Sequence, residues 1–578
     1  MSASTRRDLL RAGAAAAVAA PAAAYAAGPA QAASPAQAAS PAQPAEAAAF
    51  GPVTVRPDDS RYDSLRLRGY NHRHASRPSR IRLVGTTADV VRAVDDAVRA
   101  GRRVAVRSGG HCFEDFVDHP DTDVVIDMSG MRDVGFDPRR RAFVVEAGAT
   151  LAEAYRRLFL GWGVTVPGGT CTGVGAGGHV AGGGYGALCR LYGLTVDHLY
   201  AVEVVVVDRS GRARSVVATR EASDPRRDLW WAHTGGGGGS FGVVTRYWFR
   251  SPTAPGTPGD TDGTDGTDGT DTNAGAGAGP GGTAPDADPG DLLPRPPATV
   301  LTYSLDWRWA DLDEDAFVTL LRNYGRWGER NSAPGSPAAP LYGEFAMSAS
   351  TSGTIGISGR IAAGDATARR LLDDLQGALT SGRGVPRPER QAETLPWLHA
   401  TLRPSGADAV PFTSRMKIKS GYRRRGFSAA QLGALYRGLT DPGYDNPFST
   451  VFINTYGGQV NSVSPGATAM PHRDSVFLVG FLTGWMDEKE DEQQLRWTRE
   501  LYDKVWADSG GVPAGADDSG TFINYPDNDL ADPALNTSGT PWHTLYFGED
   551  GYARLQRAKE RWDPRNVFHH TLSVRSLT

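Results

Sequence analysis

The sequence predicts an α+β protein with two folded regions separated by a composition break, and three observations lead there. Short β-branched runs alternate with capped amphipathic helices. Three glycine-rich segments fall within the first region. The second is strand-rich, with amphipathic helices between the strands, as expected for a sheet covered by helices on one face. At 578 residues, 40% apolar and 22% charged, the chain is long enough for more than one packed core. A formal net charge of -4 with both signs interspersed gives no electrostatic case for nucleic acid or an anionic membrane surface. A small molecule is the expected partner.

At the N-terminus, Arg6 and Arg7 precede an alanine-rich stretch ending near Ala24-Tyr25-Ala26, a small-residue cleavage site. The order resembles a twin-arginine export signal, a route that carries folded proteins, often with a cofactor inserted. Pro21 interrupts the apolar stretch, so no stable membrane insertion is expected, and contact with the export machinery is transient. Ser34-Pro-Ala-Gln37 recurs as Ser40-Pro-Ala-Gln43, a low-complexity tether. A second break runs over 252–297 and carries Thr-Asp-Gly repeats. It lacks the spacing of calcium-binding loops and reads as a solvated insertion. No metal site is expected.

Between the breaks, Thr86 and Asp89 form a capping box, Val90, Val91, Val94, Ala97 and Val98 share a face, and Gly101 stops the helix. Strands are expected at 103–107, 124–126, 143–145 and 202–207, with a helix over 151–160. Beyond the insertion, strands are expected at 299–307, within 341–360, and at 414–422, 450–456 and 475–483, with helices near 314–327 and 366–379. Trp307, Tyr342, Tyr422 and Trp485 either pack this sheet or form a sugar platform, with core packing preferred.

Three segments carry the chemistry. Arg107-Ser108-Gly109-Gly110-His111 follows a strand, and its backbone N–H groups can converge on phosphate oxygens. His111 on its own reads as a structural hydrogen-bonder. The second segment runs from Pro167 to Gly186 and contains Cys171, Val174, Gly175, Gly177, Gly178, His179, Gly182, Gly183 and Tyr185. Its Gly173-Val-Gly-Ala-Gly-Gly178 formally matches the dinucleotide-binding fingerprint. Pro167-Gly-Gly before it and further glycines after it deny the strand and helix which that fingerprint needs. Dense glycine suits backbone laid flat against a large planar ligand. The third segment, Gly235 to Gly242, precedes Val243. Three such segments in one region make a shared extended ligand more economical than three unrelated turns. Three cysteines, Cys112, Cys171 and Cys189, allow one disulfide at most and suggest neither zinc nor dithiol chemistry.

These residues resemble the berberine bridge enzyme-like oxidases of the vanillyl-alcohol oxidase and p-cresol methylhydroxylase superfamily, bacterial tailoring members above all. The resemblance rests on Arg107 to His111, on Cys171 with Val-Gly-Ala-Gly-Gly-His and Gly-Gly-Gly-Tyr-Gly, on Arg190-Leu-Tyr-Gly-Leu with Asp197, and on Gly237-Gly-Gly-Ser-Phe-Gly. Near the C-terminus, Asn524-Tyr-Pro-Asp-Asn-Asp529 and Trp562-Asp-Pro-Arg-Asn-Val-Phe568 add to it. It implies a two-part FAD-binding domain of the p-cresol methylhydroxylase type, with an inserted substrate domain built on an antiparallel sheet covered by helices. The boundaries implied are a signal and tether at 1–49, the FAD domain at 50–251, the insertion at 252–297, the substrate domain at 298–520, and a return to the FAD domain at 521–578.

By resemblance, His111 bonds to the flavin 8α-methyl and Cys171 to ring carbon 6. A neutral imidazole and a thiolate are the available nucleophiles for those positions. Cys112 and Cys189 stay unlinked. Asn524, Gly242 and Val243 join the FAD-lining set with the first two glycine segments. Tyr525 takes the position where relatives present a tyrosine over the flavin, with Tyr456 and Tyr185 next for proton handling. Tyr525 is expected to take the hydroxyl proton as hydride passes from the adjacent carbon to the flavin, which dioxygen reoxidises with release of hydrogen peroxide. A phenol of ordinary pKa about 10 needs help to do so. Val174, three residues after the cysteine, resembles the oxygen gate of oxidases. Alternatives are a dehydrogenase with another acceptor and a secreted resistance protein that sequesters its ligand.

Overall fold

A computed structural model of the protein describes residues 51–255, 288–382, 384–403 and 414–577. The expected signal and tether at 1–49 and the Thr-Asp-Gly repeats lie outside the described residues. The capping box forms as read, with the Thr86 hydroxyl accepting from Asp89 N–H and the Asp89 carboxylate accepting from Thr86 N–H, and it opens the helix Thr87–Arg99. This helix connects β2 (Arg80–Leu83) to β3 (Val104–Arg107). Both pair in parallel with β4 (Val124–Asp127), while β1 (Val53–Val55) adds antiparallel beside β2. Parallel strands need such a crossover. The helix buries Val90, Ala93, Val94 and Ala97 in a core shared with Val124 and Ile126 and with Val205, Val207 and Val243 of the next sheet.

The second sheet is antiparallel, in the order β5 (Val134–Asp137), β6 (Ala142–Glu146), β9 (Val243–Phe249), β7 (Leu199–Val207) and β8 (Ala213–Thr219). A second capping box, Thr150 with Glu153, opens the helix Leu151–Trp162. Gly163 at φ +69 closes it in the left-handed conformation that glycine adopts without strain. The glycine-rich stretch differs from expectation in one respect, since Ala176–Ala181 forms a short helix. Glycine does not forbid one turn whose N–H groups bond outward, and Ala176 and Gly177 donate to the carbonyls of Ala149 and Ala147. The element directly before it is the helix Leu151–Trp162 and not a strand, so the dinucleotide fingerprint still fails.

The third sheet has seven strands, all antiparallel. They are β10 (Thr299–Arg308), β11 (Leu341–Ser348), β12 (Thr354–Ile361), β13 (Glu389–Pro396), β14 (Arg415–Arg423), β15 (Ser449–Thr455) and β16 (Phe477–Trp485), in the order β13-β10-β12-β11-β15-β16-β14. Helices Glu314–Asn331, Asp365–Leu379, Ala429–Leu439 and Asp491–Val505 pack on one face with Phe345, Met347, Ile357, Val451, Ile453, Val479 and Phe481. Because side chains alternate along a strand, Tyr342, Glu344, Phe452 and Asn454 point to the other face. The stretch 341–360 is thus a hairpin. β13, exposed along most of its length, carries no apolar alternation and was not foreseen.

The C-terminal residues pack on the third glycine segment. Lys559, fully buried, donates to the Asp563 carboxylate (2.6 Å), the Ser240 carbonyl (2.8 Å) and the Phe568 carbonyl (2.6 Å). Asp563 also accepts from the N–H groups of Val567 and Phe568, which explains the Asp-Pro-Arg-Asn-Val-Phe run. No helix among the described residues is long and apolar enough to cross a membrane.

Candidate active site

The strand β3 ends at Arg107, and the turn after it is built by close backbone approach. A Cβ on Gly109 would lie 2.3 Å from the Gly175 nitrogen, and one on Gly175 would lie 2.1 Å from Ser108 Oγ. Side chains are therefore excluded where the first two glycine segments touch. Ser108 Oγ donates to the Ala147 carbonyl at 2.5 Å, and Gly110 takes φ +83 beneath Arg68. His111 emerges from this turn. Its ring stacks on Tyr70 at 4.6 Å, and its Nε2 would sit 3.2 Å from a Cβ on Gly173. The Cys171–Val174 turn thus passes beside the imidazole, and both His111 and Cys171 are partly exposed. Gly178, Gly238 and Gly239 are exposed as well, with open space at Gly178 and Gly238 where a Cβ would point. A nucleophilic imidazole and thiol at the rim of a backbone-lined trough fit a large planar cofactor with a diphosphate.

Two side chains placed in the cofactor-lining set serve the scaffold. The Arg107 guanidinium bonds the Asp118 carboxylate at 2.7 Å and the carbonyls of Leu65 and Arg66, and is 1% exposed. Val243 is buried between the two smaller sheets, and at Gly242, φ +153, a Cβ would lie 2.5 Å from the Val205 carbonyl oxygen. Burial of this kind leaves no mark on a ligand-like sequence motif. Gly177 accepts from Tyr247 at 2.8 Å. Gly182 lies beneath Asn524, whose Nδ2 donates to the His179 carbonyl at 3.0 Å, and Gly183 packs on Met470. Asn524 thereby sets the next residue, Tyr525, over the second glycine segment.

Phe113, Phe452 and Phe522 meet the Tyr525 ring edge-on at 6.1, 5.8 and 5.2 Å. Its hydroxyl bonds no other described residue. Burial pushes the phenol well above its ordinary range, and the charges of Glu344, Cys171 and Tyr70 push it further. Because Phe113 follows His111 and Phe452 stands on the sheet face, the trough side and the sheet face meet around the Tyr525 ring. Tyr185 donates to the Thr455 carbonyl and lies 5.0 Å from the Tyr456 ring, which is 5.0 Å from Tyr422. Burial raises the Tyr185 and Tyr456 phenols too, Arg473 partly opposing it at Tyr456. Of the four aromatics left open between core and platform, Trp307 and Trp485 lie among the helix-side residues, while Tyr342 and Tyr422 lie on the opposite face. Tyr342 donates to Asn454 Oδ1 at 3.0 Å.

Sequence reasoning missed Tyr70, Phe113, Glu344, Asn454 and a buried ion cluster. Lys417 Nζ lies 2.7 Å from Glu114 and 2.6 Å from Asp527, Lys419 lies 2.6 Å from Asp527, and Arg499 pairs with Asp529 at 2.9 Å. The cluster joins the loop after His111, the edge strand β14 and the loop after Tyr525. The available signal was period-two alternation, which puts Glu344 opposite Phe345 and Lys417 opposite Met416. His179, buried, accepts from Gly169 N–H at 3.1 Å, and burial pulls it down to about 4. Burial pushes the Cys112 thiol up to about 12, so it stays protonated. No disulfide links the three cysteines.

Comparison with known proteins matches residues 78–215 to an FAD binding domain and residues 521–575 to the berberine and berberine like family. An aclacinomycin-N/aclacinomycin-A oxidase of Streptomyces galilaeus is 48% identical over 524 residues, covering 90% of each chain. The crystal structure of a glycopeptide hexose oxidase complexed with teicoplanin superposes with a TM-score of 0.82 at 46% identity, over 91% of this chain and 99% of that one. A glucooligosaccharide oxidase of Acremonium strictum, described as carrying 6-S-cysteinyl, 8α-N1-histidyl FAD, shares the fold at 20% identity and a TM-score of 0.70, over 91% of this chain and 97% of that one. Since both cofactor-domain and C-terminal segments match and relatives align along nearly the whole length, the chain belongs to the berberine bridge enzyme-like family of FAD-dependent oxidoreductases.

Proposed function

We propose that this protein is an exported oxidase that holds FAD through two covalent bonds, one to a His111 ring nitrogen and one to Cys171 Sγ, and oxidises a hydroxyl group of a sugar or a secondary metabolite. One observation carries the reading, namely the run of aromatic contacts from His111, beside the Cys171–Val174 turn, through Tyr70 and Phe113 to Tyr525 and on to Phe452 of the seven-stranded sheet. The aclacinomycin, hexose and glucooligosaccharide relatives support the substrate class, and the last supports two-bond attachment. Bound in the trough, FAD would supply the two-electron acceptor, with dioxygen reduced to hydrogen peroxide in turn.

The chain's own residues bind, orient and exclude water. Phe113, Phe452 and Phe522 fix the Tyr525 ring, so its hydroxyl meets the substrate oxygen without rotamer search. Tyr342 and Asn454 hold each other on the sheet face. Val174, packed partly against the main core, lines the approach beside Cys171. Arg6 and Arg7 lead export, and replacing both with lysine in the full chain is expected to leave the enzyme in the cytoplasm, measured by fractionation.

The attachment is tested by acid precipitation. His111→Ala and Cys171→Ala should each retain protein-bound flavin, and the double variant should release all of it. Complete release from Cys171→Ala alone would refute two-bond attachment. Peroxide release with aclacinomycin A and with D-glucose tests the oxidase activity.

A further inference from the structure

On the sheet face that carries Tyr342 and Asn454, one cation stands without a counter-charge. Arg360 of β12 lies directly across from Tyr342 of β11 and from Thr302 of β10. Its neighbour Ile361 packs into the helix-side core, so the arginine points to the opposite face. Arg360 is partly buried, and among the described residues its guanidinium has no hydrogen-bond or ion-pair partner. The charged or ionisable groups that act on it are Tyr342, Tyr155 and a second cation, Arg403, which is itself paired with Glu393 at 3.2 Å. A guanidinium drawn back from water is ordinarily paired, because something must replace the hydration it gives up.

Arg360 lines a narrow cavity between the sheet face and the loop that leads into Cys171. Gly168, Gly169 and Thr170 come from that loop, Tyr155 from the helix Leu151–Trp162, and Trp397 and Thr401 from the helix Trp397–Leu402. The walls are fixed to one another, since the Tyr155 hydroxyl donates to the Gly169 carbonyl at 2.7 Å and its ring stands edge-on to Trp397 at 6.4 Å. No aspartate or glutamate lines the cavity, and the hydroxyls of Thr170 and Thr401 can turn towards the same space. One cation, two hydroxyls and no carboxylate make an anion site. The space is too narrow for a sugar ring and admits one small group.

We propose that Arg360 marks a subsite for a carboxylate carried by the substrate, which the guanidinium pairs while a hydroxyl of the same molecule is oxidised. The assignment rests on the oxidase reading above and narrows its substrate to an acidic sugar. Position supports it. Thr170 directly precedes Cys171, and the strand order β12-β11-β15 puts Tyr342 between Arg360 and Asn454, two strand spacings or about 10 Å from end to end. The cavity therefore lies beside the reacting centre, and its anion belongs to the reacting sugar. A carboxylate matches the planar guanidinium with two parallel hydrogen bonds, whereas a neutral hydroxymethyl group at the same carbon offers one oxygen and no charge.

The test compares D-glucuronate with D-glucose, which differ only in the carboxylate at carbon 6. Anaerobic stopped-flow reduction of the flavin in the intact protein gives an apparent dissociation constant for each sugar. The parent should hold D-glucuronate roughly 10-fold or more tightly than D-glucose at neutral pH, the range of a hydrogen bond to a charged group, and added salt should narrow the margin. In Arg360→Met the ratio of the two constants should fall to about one, and Arg360→Lys should keep part of it, since an ammonium offers charge without the planar fork. A parent without preference for D-glucuronate would overturn the subsite. So would an Arg360→Met variant that weakens both sugars alike and keeps their ratio, which marks a merely structural arginine. In either case reduction of the parent's flavin by D-glucose or aclacinomycin A leaves the oxidase reading standing. If D-glucuronate, D-glucose and aclacinomycin A all fail to reduce it, the oxidase reading falls and the subsite falls with it.

Discussion

The two sides of the active site are built from different materials. The cofactor side is backbone: at Gly109 and Gly175 no side chain fits, and Gly178 and Gly238 lie open. The opposite side is a sheet face, where Tyr342, Glu344, Phe452 and Asn454 project from a ladder that would form with many other residues. A trough made of main chain tolerates few substitutions and binds one kind of ligand. A sheet face can be rewritten residue by residue, so substrate range can drift while the cofactor stays the same.

Substitutions test how far this division holds, and the largest effect is expected where the sides join. Lys417→Met leaves Glu114 and Asp527 buried without their shared cation. Breaking a buried pair this way costs about 3–5 kcal/mol, to be read by chemical denaturation. If the two sides are independent modules, only one unfolding step should weaken. If the seam couples them, the whole transition moves. Gly109→Ala comes next, at about 2–3 kcal/mol from the forced backbone shift, with covalent flavin falling alongside stability. An alanine that leaves both intact would mean that the trough is looser than its contacts suggest.

Acid separates the sides more gently. Burial holds His179 and His233 on the cofactor side, and His472 near the sheet, down to about 4 from 6.5. Between these values the unfolded chain binds more protons than the folded one, so stability is complete above about pH 6.5 and declines as pH falls towards 4. At pH 5 each histidine removes about 2 kcal/mol. Hydrogen exchange on acidification should open the 168–182 and 229–237 segments before the sheet strands. The smallest effect is expected from Tyr342→Phe, which loses one hydrogen bond to Asn454, about 1 kcal/mol. A change in KM without loss of flavin would place this residue on the substrate side.

The same division explains what could be read from sequence. Glycines that admit no Cβ and a histidine after a phosphate-like turn stand out in one dimension, so the cofactor side was legible from Arg107 to Tyr185. The capping boxes at Thr86 and Thr150 were local as well, although only the first was recognised. Glu344 and Asn454 were not legible as neighbours, because they lie 110 positions apart and meet only where β11 pairs with the adjacent strand β15. Arg107 and Val243 show the converse, since their side chains pack into the scaffold although both stand inside ligand-like motifs. The short helix Ala176–Ala181 was missed because glycine weakens helix formation in isolation, while bonds to Ala147 and Ala149 hold it in place.

The Asn524 amide reaches back to the His179 carbonyl across 345 residues. At ribosomal speeds of about 5–20 residues per second, roughly 20–70 s separate the synthesis of one partner from that of the other. Throughout that interval the glycine trough has emerged but has no cover, and FAD can enter without passing the residues that later overhang it. Loading during synthesis and sealing on its completion would make cofactor capture a matter of timing, with the late-made loop as the latch.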